Sequence, residues 1–226
     1  KHILSISRIE QEKYVWMDRF TIRNLELFYS PNDEAITLID VLDDTKSAMG
    51  SRMLRRWLAL PLKDLREIET RHQIVEEILE NNEISETLET EISRIGDLER
   101  LISKVATLRI NPKECSRLKD ALNSLIPIKE VCAKSEVKAL QLIASKINIC
   151  EQIKEKIKTE LSDNPPMLLH NGNVIKQGVN AELDELRNIQ NSGKEYLDKM
   201  LAREIEVTGI SSLKISFNNV FGYYLE

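Results

Sequence analysis

Lys214, Ser216 and Asn218 recur at every second position near the end of the sequence, and Asn219, Gly222 and Tyr223 follow them. On a strand this spacing places three hydrogen-bond donors on one face, with Leu213, Ile215 and Phe217 on the other. Ammonium, hydroxyl and amide donors suit phosphate oxygens, which they can hold without reading bases. Gly222 would allow another backbone to come close. The same pattern also suits the solvated face of a small sheet. Residues 194–226 carry four basic and five acidic side chains, so local charge does not separate the two readings.

A second candidate is the basic run Lys46, Arg52, Arg55, Arg56, Lys63 and Arg66, which with Asp64 gives residues 46–66 a net charge of +5. It either binds phosphates or forms the polar side of a helix whose other side carries Met53, Leu54 and Trp57. In the second case its arginines pair with the acidic helices that follow. Residues 67–99 carry a net charge of −9 and would repel a phosphate backbone, which confines any nucleic-acid contact to other parts of the chain.

Catalytic chemistry is harder to build. His2, His72 and His170 lie far apart, and His72 with Glu76 reads better as an ordinary pair on a helix surface than as half of a metal site. No glycine opens a Gly-x-x-x-x-Gly-Lys-Ser/Thr loop, and no serine sits in a nucleophile elbow. Cys115, Cys132 and Cys150 are widely spaced and read as reduced packing residues rather than zinc ligands. The sequence therefore offers no catalytic residue, no metal site and no cofactor site.

The elements that must position these residues are mostly helical. Apolar residues make up 42% of the 226, charged residues 31%, and there are only seven Gly and six Pro. No apolar run reaches the ~18 residues of a membrane span, and no signal-peptide pattern is present, while the reduced cysteines favour the cytoplasm. The longest element runs from Asn180 to Thr208. Asn180 caps it, and Glu182, Asp184 and Glu185 suit its N-terminus. Leu183, Leu186, Ile189, Leu197, Met200, Leu201 and Ile205 form its stripe, and Gly209 stops it. At ~1.5 Å per residue it is about 40 Å long.

Upstream, Tyr14–Met17 reads as a strand and Asp18 as the cap of a helix reaching Asn24. A turn follows at Ser30-Pro31-Asn32-Asp33, then helices over Ile36–Leu42 and Ser47–Leu60, the second ended by Pro61. Met53, Leu54, Trp57 and Leu58 give that second helix a buried face. Asp64 caps a helix with the stripe Leu65, Ile68, Val75, Ile78 and Leu79, and further helices cover Glu83–Ile92 and Asp97–Leu108. Asn111, Pro112 and Glu114 form a capping box ahead of Leu118, Leu122 and Leu125. Ser135–Leu161 reads as one long helix that packs along Asn180–Thr208. Asn171-Gly172, between Met167–Leu169 and Val174–Ile175, signals a tight hairpin. Strands are expected at Leu213–Asn218 and Tyr223–Leu225. The fold class is mainly α: a multi-helix core, long helices, a small β-hairpin and an antiparallel strand pair at the tip. Residues 1–12 read as a connector, 13–192 as the helical core, and 193–226 as the end of the long helix and an incomplete sheet. A start without Met and a stop inside an alternating pattern suggest a piece of a longer protein.

Five stretches carry a family likeness. They are Asp18-Arg19-Phe20-Thr21-Ile22-Arg23-Asn24-Leu25-Glu26-Leu27; Thr45 with Met49-Gly50-Ser51-Arg52-Met53-Leu54-Arg55-Arg56-Trp57-Leu58 and Pro61; Ile95-Gly96-Asp97-Leu98-Glu99-Arg100; Gly178-Val179-Asn180-Ala181-Glu182-Leu183-Asp184-Glu185-Leu186; and Phe217-Asn218-Asn219-Val220-Phe221-Gly222-Tyr223-Tyr224. In this order they resemble the MutS family of DNA mismatch repair proteins, with Val179 standing where the family has an aromatic residue. The resemblance implies a helical core, an outgoing lever helix and the first part of a β clamp that closes over duplex DNA. It places the Phe-x-Glu mismatch reader upstream and the ATPase, with its ATP and magnesium, downstream. It implies a homodimer whose main contacts lie in that ATPase. It also favours Lys214, Ser216, Asn218, Asn219, Gly222 and Tyr223 as contacts to the DNA backbone. The competing reading is a helical scaffold that binds protein partners through the acidic 67–99 surface, with no direct DNA contact.

Overall fold

Seven helices begin the same way. Asp18, Ser47, Asp64, Asn81, Asp97, Asn111 and Asn180 each accept, through the side chain, the backbone N–H three residues on. Each bond satisfies a donor that the first helical turn leaves open. The computed structural model describes residues 11–32, 34–220 and 222–226. Most of the connector expected at 1–12 lies outside them, as do Asp33 of the expected turn and Phe221. Two compact units emerge, one ending at Val174 and the other running from Ile175 to Glu226.

The first unit is helical: α1 (Arg19–Asn24), α2 (Leu38–Leu42), α3 (Ala48–Ala59), α4 (Leu65–Glu80), α5 (Asn82–Ile95), α6 (Leu98–Ala106), α7 (Pro112–Lys134), α8 (Lys138–Lys146) and α9 (Glu151–Glu160). Helix α7 lies at its centre and packs against α5, α6, α8 and α9. Its buried positions include Leu118, Ala121, Leu122, Ser124, Ile128, Val131 and Cys132, so it is covered on more than one side. Ala121, with Ala144 of α8, keeps the crossings close, and Ile84 and Ile95 of α5 and Leu140 of α8 complete the cluster. Burial pushes the Cys132 thiol up from its ordinary pKa, and all three cysteines are free.

Several expected elements differ. The strand at Tyr14–Met17 reduces to one bridge, Tyr14 to Leu62, flanked by Val15 N–H to Pro61 O at 2.7 Å and Lys63 N–H to Lys13 O at 3.0 Å. Pro61 has no N–H with which to extend the ladder. Helix α2 starts at Leu38, after Thr37, whose N–H donates to Asp40. The face expected to be buried on α3 is only partly so: Met53 is 55% and Trp57 43% exposed, and the Trp57 ring lies beneath the Arg71 guanidinium. On α4 the half-buried apolar positions are Ile68, Ile74 and Ile78, while Leu65, Val75 and Leu79 face solvent.

The helix expected over Ser135–Leu161 is two helices. Asn148 Oδ1 takes the Cys150 N–H at 2.9 Å, Cys150 adopts φ 49°, and Lys129 of α7 donates to the Ile147 carbonyl. A local side chain has captured the bonding that would have continued the helix. Both halves pack on α7, and the helix expected to be their partner belongs to the other unit. The hairpin at Asn171-Gly172 is absent as well. Leu169–Asn171 forms a 3-10 turn, and the positive φ values fall one residue late, at Gly172 and Asn173. A tight hairpin turn needs them at both central residues.

The second unit holds α10 (Ala181–Thr208) and the antiparallel strands β1 (Ile215–Asn218) and β2 (Gly222–Leu225). Asn180 caps α10, and Gly209 closes it with φ 71° and ψ 7°, its N–H bound to Ile205 O at 2.8 Å. Of the expected stripe, Leu183, Leu197, Leu201 and Ile205 are half-buried. Leu186, Ile189 and Met200 are exposed, together with Tyr196 and Val207. Among the described residues no helix is long and apolar enough to cross a membrane.

Ile84 is 2% exposed at the α5–α7 contact. Ile84→Ala is expected to cost about 2–5 kcal/mol through lost burial and the cavity left behind. Asn111→Ala is expected to cost about 1 kcal/mol through the lost cap. Urea unfolding of both variants measures the difference.

Candidate nucleic-acid interface

The ribbon that follows α10 is short and its register is defined. Ile215 pairs with Leu225, Ser216 with Tyr224, Phe217 with Tyr223 and Asn218 with Gly222. Lys214 and Glu226 extend the ladder by exchanging both backbone bonds, at 2.7 and 2.9 Å. Directly opposed residues in an antiparallel pair share a face. One face therefore carries Ile215, Phe217, Tyr223 and Leu225. Its Phe217 and Tyr223 rings meet edge to face, 5.0 Å between centroids and 60° between planes. The other face carries Lys214, Ser216, Asn218, Gly222, Tyr224 and Glu226.

The sequence-derived donors are thus sorted. Lys214, Ser216 and Asn218 do share a face. Tyr223 lies on the opposite, apolar face, held against Phe217, and Tyr224 stands among the donors instead. Counting along the second strand alone could not show this, because which tyrosine joins which face depends on the register across the turn. The turn itself is shaped by Asn218, whose Oδ1 accepts the Val220 N–H at 2.7 Å. Asn218 therefore presents its NH2 group as donor. Asn219 is exposed in the turn. Gly222 has φ 77°, and no atom lies within 4 Å of where a Cβ would sit, so glycine is required by backbone conformation rather than by crowding. Ser216 donates its hydroxyl to Glu226 Oε1 at 2.5 Å, which puts a carboxylate on the donor face.

The basic run on α3 is engaged differently. Arg52 Nη1 and Nη2 fork onto both Asp97 oxygens at 3.0 and 2.7 Å, and Nε and Nη2 reach Glu99 Oε2 at 3.0 and 2.6 Å. Lys46 pairs with Glu89 at 3.2 Å. For Arg52 and Lys46 the pairing reading of this run holds, since their charges face the acidic segment. Asp97 also caps α6, so a single carboxylate joins the start of α6 to α3. The hydrogen bonds from Arg52 hold the Asp97 carboxyl below the usual range, and the same contacts push the Arg52 guanidinium up. The N-terminus of α3 is set by Asp43, which accepts from the hydroxyls of Thr45 and Ser51. Gly50 sits where a Cβ would come within 3.3 Å of both Ser47 Oγ and Thr45 Cβ. Among the described residues no group of three or more His, Cys, Asp or Glu is arranged to hold a metal ion.

Fold and site together define a helical domain followed by a long capped helix that runs into an antiparallel ribbon. The chain belongs to the MutS domain III family, which it matches over residues 20–213. The DNA mismatch repair proteins MutS of Christiangramia forsetii and Flavobacterium psychrophilum are each 54% identical to it over 226 residues. That of Bacteroides fragilis is 49% identical over 225. These alignments cover the whole chain and 26% of each relative, so the chain spans about a quarter of their length. The family match ends at Leu213, just before β1.

The Arg52–Asp97 contact has a pH signature. A carboxyl whose pKa is depressed in the folded state stabilises the fold above its unfolded value, about 3.9, and loses that contribution as pH falls through the folded value. Arg52→Ala is expected to lower the unfolding midpoint at pH 7, and the gap to wild type should narrow as pH falls below about 4. Thermal melts from pH 7 to pH 3 provide the check.

Proposed function

We propose that this chain is the core-and-lever part of a mismatch repair protein, and that its terminal ribbon begins a clamp on the duplex DNA backbone. The observation that carries the reading is α10: one capped helix of 28 residues, at the end of the matched family domain, leads directly into a ribbon with a donor-bearing face. At ~1.5 Å per residue the helix is about 42 Å long, and a ten-degree tilt at its base would move its tip by about 7 Å. Residues 13–192 form the core with the start of the lever, and 193–226 the end of the lever with the first clamp strands.

The exposed residues of α10 support a lever of more than one helix. Leu186, Gly193, Met200 and Val207 fall every seventh residue, as do Ile189 and Tyr196. That spacing makes a narrow apolar seam of the kind a second helix covers. Lys214, Asn218 and Asn219 are the proposed phosphate donors. Gly222 shapes the turn, Ser216 is partly engaged by Glu226, and Tyr223 lies on the opposite, apolar face against Phe217. The partners are duplex DNA and the other domains of the same polypeptide, in a homodimeric cytoplasmic protein. None of the seven glycines opens a Gly-x-x-x-x-Gly-Lys-Ser/Thr phosphate-binding loop. ATP and magnesium belong to other parts of the longer protein.

Fluorescence anisotropy with duplex DNA at two salt concentrations tests the reading, using this chain and a version extended until the sheet is complete. The extended protein is expected to bind with salt-sensitive, mismatch-indifferent affinity. Lys214→Ala should weaken binding uniformly across sequences and reduce the salt slope by about one. Tyr223→Phe, on the far face, should leave binding unchanged. If neither protein binds at low salt, the reading fails and a protein scaffold acting through the acidic 67–99 surface replaces it.

A further inference from the structure

Asn171-Gly172 makes no hairpin and takes no part in the terminal ribbon. It is the only Asn-Gly pair in the sequence. His170, Asn171, Gly172 and Asn173 are all exposed. The pair sets a side-chain carboxamide beside a backbone nitrogen whose own residue carries no Cβ. That nitrogen can attack the carboxamide carbon and close a five-membered ring.

Little in the structure opposes the attack. Among the described residues the Asn171 side chain has no hydrogen-bond partner. No atom lies within 4 Å of where a Gly172 Cβ would sit, so water reaches the pair and the peptide between the two residues has room to rotate. The turn is held by Asn171 N–H to Leu168 O and Gly172 N–H to Leu169 O, both at 3.2 Å, the long end of the ordinary range. A single 3-10 turn also has poorer hydrogen-bond geometry than an α-helix.

Other asparagines are better protected. Asn81, Asn148, Asn180 and Asn218 each commit Oδ1 to a backbone N–H. Asn111 precedes a proline, whose nitrogen has no proton to lose. Asn123 lies within the backbone ladder of α7. Asn173 precedes Val174, whose branched side chain crowds the attacking nitrogen.

We propose that Asn171 is a site of spontaneous modification, deamidating through a succinimide to isoaspartate and aspartate. The Gly172 nitrogen loses its proton to water and bonds to the Asn171 side-chain carbonyl carbon. The bond from that carbon to the side-chain nitrogen breaks, and ammonia leaves with a proton taken from water. A water molecule then opens the ring. Opening at the main-chain carbonyl leaves isoaspartate, and opening at the side-chain carbonyl leaves aspartate. One water is consumed, one ammonia is released, nothing is oxidised, and the segment gains a negative charge. Isoaspartate also lengthens the main chain by one carbon. Ser162 N–H to Val174 O at 2.9 Å closes the segment, which confines the extra length to residues 163–173.

Incubation of the full-length protein at neutral and mildly alkaline pH tests the proposal. Peptide mapping by mass spectrometry locates the conversion, and enzymatic methylation with labelled S-adenosylmethionine counts isoaspartyl carboxylates. Asn171 is expected to convert at least tenfold faster than any other asparagine of the chain, at a rate close to that of the urea-unfolded protein. Isoaspartate should be the major product, and the rate should rise with pH because the attacking nitrogen must lose its proton. Asn171→Gln, which would need a larger ring, should remove methyl acceptance from this segment. Retention of the amide in the folded protein while the unfolded protein converts would overturn the proposal. Aspartate as the sole product, the mark of direct hydrolysis, would also overturn it, as would undiminished methyl acceptance in Asn171→Gln.

Discussion

Helix α7 is the member on which the first unit depends. It meets α5, α6, α8 and α9, and small side chains at its closest crossings let those helices approach. The buried residues of α7 spread over more than one side, while Arg117, Asp120, Asn123 and Glu130 keep one flank polar and exposed. It even accommodates Pro127, which removes an internal hydrogen bond and alone would cost about 3 kcal/mol. Burial of a central helix is strong enough to offset that cost. Lys104 of α6 is joined to this centre at Glu114 and Glu77 of α4 at Ser135, while Arg52 joins α3 to the start of α6 at Asp97.

The second unit follows a different logic. In a unit of one helix and a two-stranded ribbon, the helix must hold itself together through its ends and its own backbone. Asn180 and Gly209 supply those ends. Its exposed apolar seam and the Phe217–Tyr223 face of the ribbon are both surfaces that a longer protein would cover. The polar face of the ribbon is a surface that would remain open. That division of faces connects the ribbon to the proposed contact with DNA, and register alone creates it.

Much of this was legible in the sequence because local chemistry determined it. Caps at Asp18, Asp64, Asp97, Asn111 and Asn180 mark helix starts directly, and the Gly209 stop needs only a left-handed residue. What could not be read depended on competition between local options or on distant partners. Asn148 broke a pattern whose periodicity ran on through Cys150. The Asn171-Gly172 signal gave way to a 3-10 turn because the chain placed its positive φ values at Gly172 and Asn173. Met53 and Trp57 sit on a helix with an apolar side, yet they stay half-exposed among the described residues. The donor face showed the same limit. Lys214, Ser216 and Asn218 were visible by alternation, while the exchange of Tyr223 for Tyr224 required the cross-strand pairing.

Gly193 stands near the middle of α10 with no neighbour within 4 Å of where its Cβ would be. Glycine favours the helix by about 1 kcal/mol less than alanine. A rod with uniform propensity bends along its whole length, but one with a single weak turn bends there first. Torque arriving from the ribbon would therefore be absorbed near Gly193 before it reached the capped base at Asn180. In the proposed lever role, the helix would act as two stiff halves sharing a compliant joint rather than as one stiff bar, and that joint would set the stroke.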